Sequence, residues 1–209
     1  MATRLLLVRH GESRAQVDGI AAGHATCRGL SERGRAQAAA LAERLARTGE
    51  AGDIDVVHTS LLARAQETAR AVSTALALPV PREDCAWCEI HPGDADGHGW
   101  LSVRDLWPAS GDPDDLYRRR LPGMETWAEM CVRVGAGLRT LVHESGTDSV
   151  LVVGSGGTVG ASFVALGDAP MSQLIGFTRG VGNASITEWL LVGGRWELGR
   201  YNDTGHLTS

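Results

Sequence analysis

Leu5-Leu6-Leu7-Val8-Arg9-His10-Gly11-Glu12-Ser13 is an apolar run that stops at a charged pair. A short run of this kind reads as a buried parallel strand feeding a loop. In open α/β sheets, ligands sit outside the carboxyl ends of such strands. Here the strand end delivers a histidine, with an arginine before it and a glycine after it. An imidazole can act as a nucleophile, a guanidinium can grip an anion through two hydrogen bonds, and glycine lets the backbone come close. Together they point to phosphoryl transfer through a histidine.

Working outward, Ser31 is a natural N-cap for an alanine-rich helix reaching to about Arg47, with Leu41 and Leu45 on one face. Ile54-Asp55-Val56-Val57-His58 reads as a second strand. Thr59-Ser60 then caps a helix from Leu61 to about Leu78, closed by Pro79 and Pro81. Residues 83–121 break the pattern with Trp, Pro, Gly and Asp, the composition of a lid or substrate loop. A helix resumes from Thr126 to His143. Ser149-Val150-Leu151-Val152-Val153 is the strongest strand signal, and Gly154-Ser155-Gly156-Gly157-Thr158 opens another helix. Residues 185–198 read as a hairpin turning at Gly193-Gly194. The order β-α-β-α-insert-α-β-α-β-β implies a three-layer α/β/α sandwich. Its sheet is mostly parallel, with an antiparallel edge strand. The expected organisation is one domain over 1–209, with an irregular insert at about 83–121.

Composition narrows the chemistry. Of the 209 residues, 43% are hydrophobic and 22% charged, as in ordinary globular proteins. The net charge of −5 argues against a nucleic-acid partner. All 20 basic residues are arginine, which excludes a lysine Schiff base or a P-loop lysine. No apolar run is long enough to span a bilayer, and Met1-Ala2-Thr3-Arg4 runs straight into a strand, so a cytoplasmic location and no membrane partner are expected. Four cysteines are too few for a disulfide scaffold. Cys85-x-x-Cys88-x-x-His91, with His98 as a fourth ligand, resembles a partial zinc site. Its compact spacing and single cysteine pair favour ordinary loop cysteines, so no metal and no cofactor are expected.

Further motifs recur in order. They are Leu30-Ser31-x-x-Gly34-x-x-Gln37, Thr59-Ser60-x-x-x-Arg64-Ala65-x-x-Thr68, Glu89 in the insert, Pro122-Gly123-Met124-Glu125-Thr126, and Asn202-x-x-x-His206-Leu207. In this order and spacing the chain resembles the histidine phosphatase superfamily, the phosphoglycerate-mutase-like proteins, over nearly its whole length. The resemblance implies roles. His10 would attack phosphorus and become a transient phosphohistidine. Arg9 and Arg64 would clamp the phosphoryl oxygens. Glu89 would protonate the leaving alcohol and then activate water. Gln16 stands where the family often has an asparagine that binds phosphate. No metal is implied.

These roles suit the reaction. Phosphoryl transfer asks a protein mainly to position groups and stabilise charge, which two guanidinium forks can do. The imidazole must be neutral at its attacking nitrogen, so its other nitrogen should donate to a backbone carbonyl. The acid must hold its proton near neutral pH, which burial beside Trp87 and Trp100 would favour.

One position departs from the family. After the strongest strand, where a second histidine is usual, stands Ser155. Serine can donate one hydrogen bond to the phosphoryl group but carries no charge. The amides of Gly156 and Gly157 at the helix start could still bind an oxyanion. Losing one oxyanion donor typically costs about two to three powers of ten in rate. A weakened phosphatase, an inactive one or a relative with altered chemistry all fit.

The leading expectation is therefore a phosphomonoester hydrolase acting on a small phosphorylated metabolite. Its alternatives are a pseudophosphatase that binds phosphate esters without turnover, and a mutase-like phosphotransferase. A third class makes Ser155 a nucleophile with Asp203 and His206, but Val153 replaces the first glycine of that motif. Trp87, Trp100 and Trp107 suggest an apolar or ring-bearing leaving group. Arg118-Arg119-Arg120 reads as a solvated charge run, with a mouth for anionic substrate as the alternative. His206 and Asn202 would tie the C-terminal segment to the domain. Oligomeric state is open, a homodimer included.

Overall fold

The computed structural model describes residues 2–103, 113–145 and 148–207. Its strands are β1 (Arg4–Arg9), β2 (Val57–Thr59), β3 (Arg82–Glu83), β4 (Ser149–Gly154), β5 (Ile186–Val192) and β6 (Arg195–Asp203). The helices are α1 (Arg14–Asp18), α2 (Glu32–Thr48), α3 (Ala63–Ala75), α4 (Trp100–Val103), α5 (Trp127–Glu144), α6 (Gly156–Ala165) and α7 (Leu174–Arg179). The strands form one sheet in the order β3-β2-β4-β1-β5-β6. β3, β2, β4 and β1 are parallel, β5 runs against β1, and β6 returns along the edge.

Alternation along β1 and β4 builds the layers. Leu5, Leu7, Val150 and Val152 pack with Met130, Val134 and Leu138 of α5 and Val159 and Phe163 of α6. Leu6, Val8, Leu151 and Val153 pack on the other face with Leu41 and Leu45 of α2 and Ala65, Ala69 and Val72 of α3. Strands buried on both faces need continuous apolar runs, which is why these two are the plainest in the sequence.

Local differences from the sequence reading have local causes. β2 covers only Val57–Thr59, because residues 51–54 form a turn in which Ile54 N–H bonds Ala51 O. α3 begins two residues late: Ser60 Oγ accepts the Leu62 N–H and caps the turn ahead of the helix. It ends early at Ala75, and Ala77 adopts a positive φ of 54°. α2 and α5 start where Ser31 and Thr126 cap them. β6 runs on to Asp203, past the predicted hairpin end. The short elements α1, β3, α4 and α7 carry no clear periodicity in the sequence. Among the described residues, no helix is long and apolar enough to cross a membrane.

Candidate active site

Arg9 ends β1 and pairs in register with Gly154 at the end of β4, so His10 and Ser155 leave neighbouring strands side by side. His10 N–H donates to Gly154 O at 3.0 Å, and His10 O accepts from Ala184 N–H at 3.2 Å. The loop after His10 is gripped by two helix starts. Glu12 N–H donates to Gln37 Oε1 at 2.8 Å, Glu12 O accepts Ser31 N–H at 2.9 Å, and Ser31 Oγ–H bonds Glu12 Oε1 at 2.7 Å. A Cβ on Gly34 would collide with Glu12 O, and one on Gly11 with Gly34 O. The Ser31-x-x-Gly34-x-x-Gln37 spacing is thus one helix face built to hold this loop. From α3, Thr68 Oγ1 accepts Gly11 N–H at 3.1 Å and donates to Arg64 O at 2.9 Å.

His10 is 5% exposed. Its Nδ1 lies 2.7 Å from Gly11 O, and Arg64 Nε donates to its Nε2 at 3.1 Å. A carbonyl only accepts and a guanidinium only donates. These partners therefore select the neutral tautomer with the proton on Nδ1 and the lone pair on Nε2. Electrostatics agree: burial, then Arg64 and Arg9, push the imidazole well below its ordinary range, against a smaller opposing effect from the Gly11 carbonyl.

Arg64, 6% exposed, also donates Nη1 to Ala22 O at 3.0 Å and lies 3.4 Å from Cys27 Sγ. Arg9 donates to Val181 O, and its buried Nε has no acceptor among the described residues. Burial lowers the Arg9 pKa, partly opposed by Glu89 and assisted by Arg64. Glu89 reaches the site across α6: Gly157 N–H donates to Glu89 Oε2 at 3.2 Å, and Ile90 N–H to Oε1 at 3.1 Å. Gln16 completes the capping box of α1, its Oε1 accepting Ser13 N–H at 3.0 Å. It also pairs with Asn183, whose Nδ2 donates to Gln16 Oε1 at 3.1 Å and to His10 O at 3.2 Å.

Ser155, the residue expected at the phosphoryl group, also serves the helix that follows it. It is 2% exposed and caps α6, its Oγ accepting Thr158 N–H at 3.3 Å. Thr158 Oγ1 donates its only proton to Trp87 O at 3.1 Å. In the 3.1 Å contact between the two hydroxyls, Ser155 must therefore be the donor. The Ser155 proton is thus directed at Thr158 Oγ1. The Gly157 amide is also committed, to Glu89. Gly156 sits where a Cβ would lie 3.0 Å from Thr178 O, so glycine there admits α7 against α6.

Asp203 and His206, the partners of the serine-nucleophile reading, are engaged elsewhere. Asp203 pairs with Arg44 and Arg200, and His206 Nδ1 lies against Arg44 at 3.3 Å. Asn202 ties the last segment down, accepting Gly182 N–H at 2.6 Å and donating to Gly180 O at 2.9 Å. The arginine run is likewise occupied: Arg118 and Arg120 pair with Asp115, and Arg119 pairs with Glu129.

A cavity of about 550 Å³ opens beside Arg9 and Arg64, the two arginines that flank His10. Arg9, Arg64, Arg179, Gln16 and Glu89 supply its polar wall, while Trp100, Trp127, Ile20 and Ile90 supply apolar surface. A larger depression of about 830 Å³ lies beside β3, where the lining places one arginine, Arg82, near its histidine, His58, against the two around His10. Of the three tryptophans expected near substrate, Trp100 lines the cavity, Trp87 is buried in the core and Trp107 lies outside the described residues. Arg179, Asn183 and Trp127 are additions. Trp127 directly follows the cap residue Thr126, and Asn183 lies three residues before β5, so both had a weak positional signal. Arg179 had none, because its place depends on how α7 packs on α6.

Residues 5–204 match a family model described as histidine phosphatase superfamily (branch 1). The chain is 31% identical over 212 residues to the uncharacterized phosphatase PhoE of Bacillus subtilis (strain 168), covering 99% of this chain and 97% of that one. Among solved structures it is similar to Bacillus stearothermophilus YhfR, with a TM-score of 0.81, 27% identity and coverage of 98% and 99%. It is also similar to the mycobacterial glucosyl-3-phosphoglycerate phosphatase Rv2419c in complex with VO3, with a TM-score of 0.76, 28% identity and coverage of 96% and 99%.

Proposed function

Since the chain belongs to the histidine phosphatase superfamily, we propose that it hydrolyses phosphomonoesters of small metabolites through a phosphohistidine on His10. The observation that carries this reading is the His10 tautomer. A buried neutral imidazole keeps its Nε2 lone pair beside two guanidinium groups. In the proposed cycle the incoming phosphoryl group takes the Arg64 Nε–H from His10 Nε2, and Nε2 attacks phosphorus in line. Arg9 and Arg64 neutralise the equatorial oxygens. Glu89 passes its proton to the leaving alcohol oxygen. It then takes a proton from the water that attacks phosphorus, releasing phosphate and restoring His10.

Ser155 cannot provide the charge of the family's second histidine. Arg179 supports the reading that another group does so. It lines the same cavity, one residue after Thr178, whose carbonyl rests against Gly156. The indole surfaces of Trp100 and Trp127 favour an aromatic or otherwise apolar alcohol over a bare sugar. The committed hydroxyl of Ser155 favours one second reading, a protein that binds phosphate esters without turning them over.

Phosphate release from aryl and alkyl phosphomonoesters, measured for this chain, His10→Ala and Ser155→His, separates the two. We expect turnover of aryl esters, at least about 10³-fold loss in His10→Ala, and a phosphoryl group on His10 detected by mass spectrometry. Vanadate binding without phosphate release in this chain or in Ser155→His would establish the second reading instead.

A further inference from the structure

Behind Glu89, the same loop carries a second cluster of reactive side chains. Cys85 belongs to the 3-10 turn Cys85–Trp87, and Cys88 and His91 follow it. His24 arrives from the loop between α1 and α2, 61 residues earlier than Cys85. One ligand atom from each of His24, Cys85, Cys88 and His91 lies within 4.8 Å of all the others. Cys85 Sγ is 3.3 Å from His91 Nε2 and 3.8 Å from His24 Nε2. Zinc bonds of about 2.3 Å to sulfur and about 2.0 Å to nitrogen, arranged tetrahedrally, require donor separations of about 3.3–3.8 Å. The two Cys85 spacings fall in that range, and all four donors lie within 4.8 Å of one another. The sequence spacing offered His98 as the fourth ligand. His98 is not in the cluster, and His24, distant in sequence, takes that place.

The surroundings are those of a metal centre. His91 turns Nδ1 toward Glu125 Oε2 at 3.9 Å, and its backbone N–H donates to the same oxygen at 3.2 Å. A carboxylate behind a ligating histidine orients the ring and raises its basicity. Arg133 fixes that carboxylate with hydrogen bonds of 2.8 and 2.6 Å. The same guanidinium donates to the carbonyls of Cys85, Ala86 and Cys88, holding the cysteine turn in shape. A simple Cys85–Cys88 redox pair would have no use for two imidazoles converging from separate loops.

We propose that His24, Cys85, Cys88 and His91 bind one zinc ion as a closed structural site. Binding would form two Zn–S and two Zn–N bonds and release the thiol protons to water, leaving a neutral Cys2His2 centre. Four protein ligands leave no open position for a substrate, so the ion is outside the reaction. Its effect is mechanical. It would staple the segment bearing Ala22, which anchors Arg64, to the segment bearing Glu89. Both segments line the cavity.

The test needs no substrate and is independent of the proposed activity. The full chain, purified under reducing conditions with free thiols verified, is assayed for bound metal and then titrated with Co²⁺ after chelation. We expect one zinc per chain, and Co²⁺ spectra with thiolate-to-metal charge transfer and intense tetrahedral d–d bands. His24→Ala, at an exposed position that the fold can tolerate, should lower metal affinity at least about 10²-fold and weaken those bands. Cys85→Ser should abolish the charge transfer. Failure of the reduced chain to bind Zn²⁺ or Co²⁺ stoichiometrically would overturn the site. So would metal binding with the same affinity in His24→Ala and Cys85→Ser.

Discussion

At the scale of the residue, His10 is defined by what its two nitrogens touch. Gly11 O holds the Nδ1 proton and Arg64 directs a donor at Nε2, so one neutral tautomer is selected before any ligand arrives. Protonation of Nε2 would place a cation against Arg64 and Arg9 in a buried site, and burial is the larger obstacle. An imidazole held below its ordinary value stays a competent nucleophile as the pH falls. The acid limb of kcat/KM, corrected for substrate ionisation, should therefore lie below the ordinary histidine value of about 6.5. Arg64→Ala removes one of the charges that lower the pKa while leaving His10 buried. It should shift that limb to higher pH and cut kcat/KM by about 10²–10³-fold. A pH–rate profile of the two proteins checks both effects.

At the scale of the element, the N-terminus of α6 does work that its sequence did not announce. Gly154-Ser155-Gly156-Gly157 reads as an anion-binding turn, yet its groups serve the protein. Ser155 caps the helix, Thr158 holds the Trp87 carbonyl, and Gly157 N–H holds Glu89. The turn positions Glu89, the proposed acid–base group, and the cysteine turn next to it. A Cβ at residue 157 would collide with Glu89 Oε1 and lie 2.7 Å from Met130 Sδ. Gly157→Ala should displace the Glu89 carboxylate and lower kcat about 10²-fold, the usual cost of moving a catalytic group by about 1 Å. Far-UV circular dichroism should stay unchanged, since α6 itself accepts alanine. Steady-state kinetics beside the spectrum test this pairing. The sequence placed this turn correctly after β4, but nothing local reveals that residue 89 takes the Gly157 amide.

At the scale of the whole molecule, the sheet is closed on one side by a charged clasp. Arg44 of α2 bonds Glu50 at 2.8 Å and Asp203 at 2.6 Å, and Arg200 of β6 bonds Glu50 at 2.7 Å. The Arg44 hydrogen bond is the main reason that Asp203 is held well below the usual carboxylate range. Burial alone would raise Glu50, but hydrogen bonds from Arg200 and Arg44 outweigh it and leave Glu50 lowered. A carboxylate lowered in the folded state adds stability above its unfolded pKa of about 4, and that stability is lost as pH falls through the folded value. Arg44→Ala should cost about 1.5–3 kcal/mol at neutral pH and flatten the decline in Tm between about pH 5 and pH 3. Thermal melts across that range check the prediction.

The features read correctly from sequence are those written in consecutive residues. Leu5–Val8 and Val150–Val153 are apolar throughout because their strands are covered on both faces, so the central sheet and its layers follow from hydrophobic burial. Arg9 and His10 inherit their position from the end of such a strand. The Ser31-x-x-Gly34-x-x-Gln37 face follows from helical spacing. What the tertiary structure alone decided is where separate segments meet. It placed Arg179 and Trp127 in the cavity wall, paired Asn183 with Gln16, and brought His24 beside Cys85, Cys88 and His91. It also set the Ser155 hydroxyl against Thr158 Oγ1. Periodicity and capping are set by neighbours a few residues away and leave a local trace. Contacts across dozens of residues are set by packing and leave none.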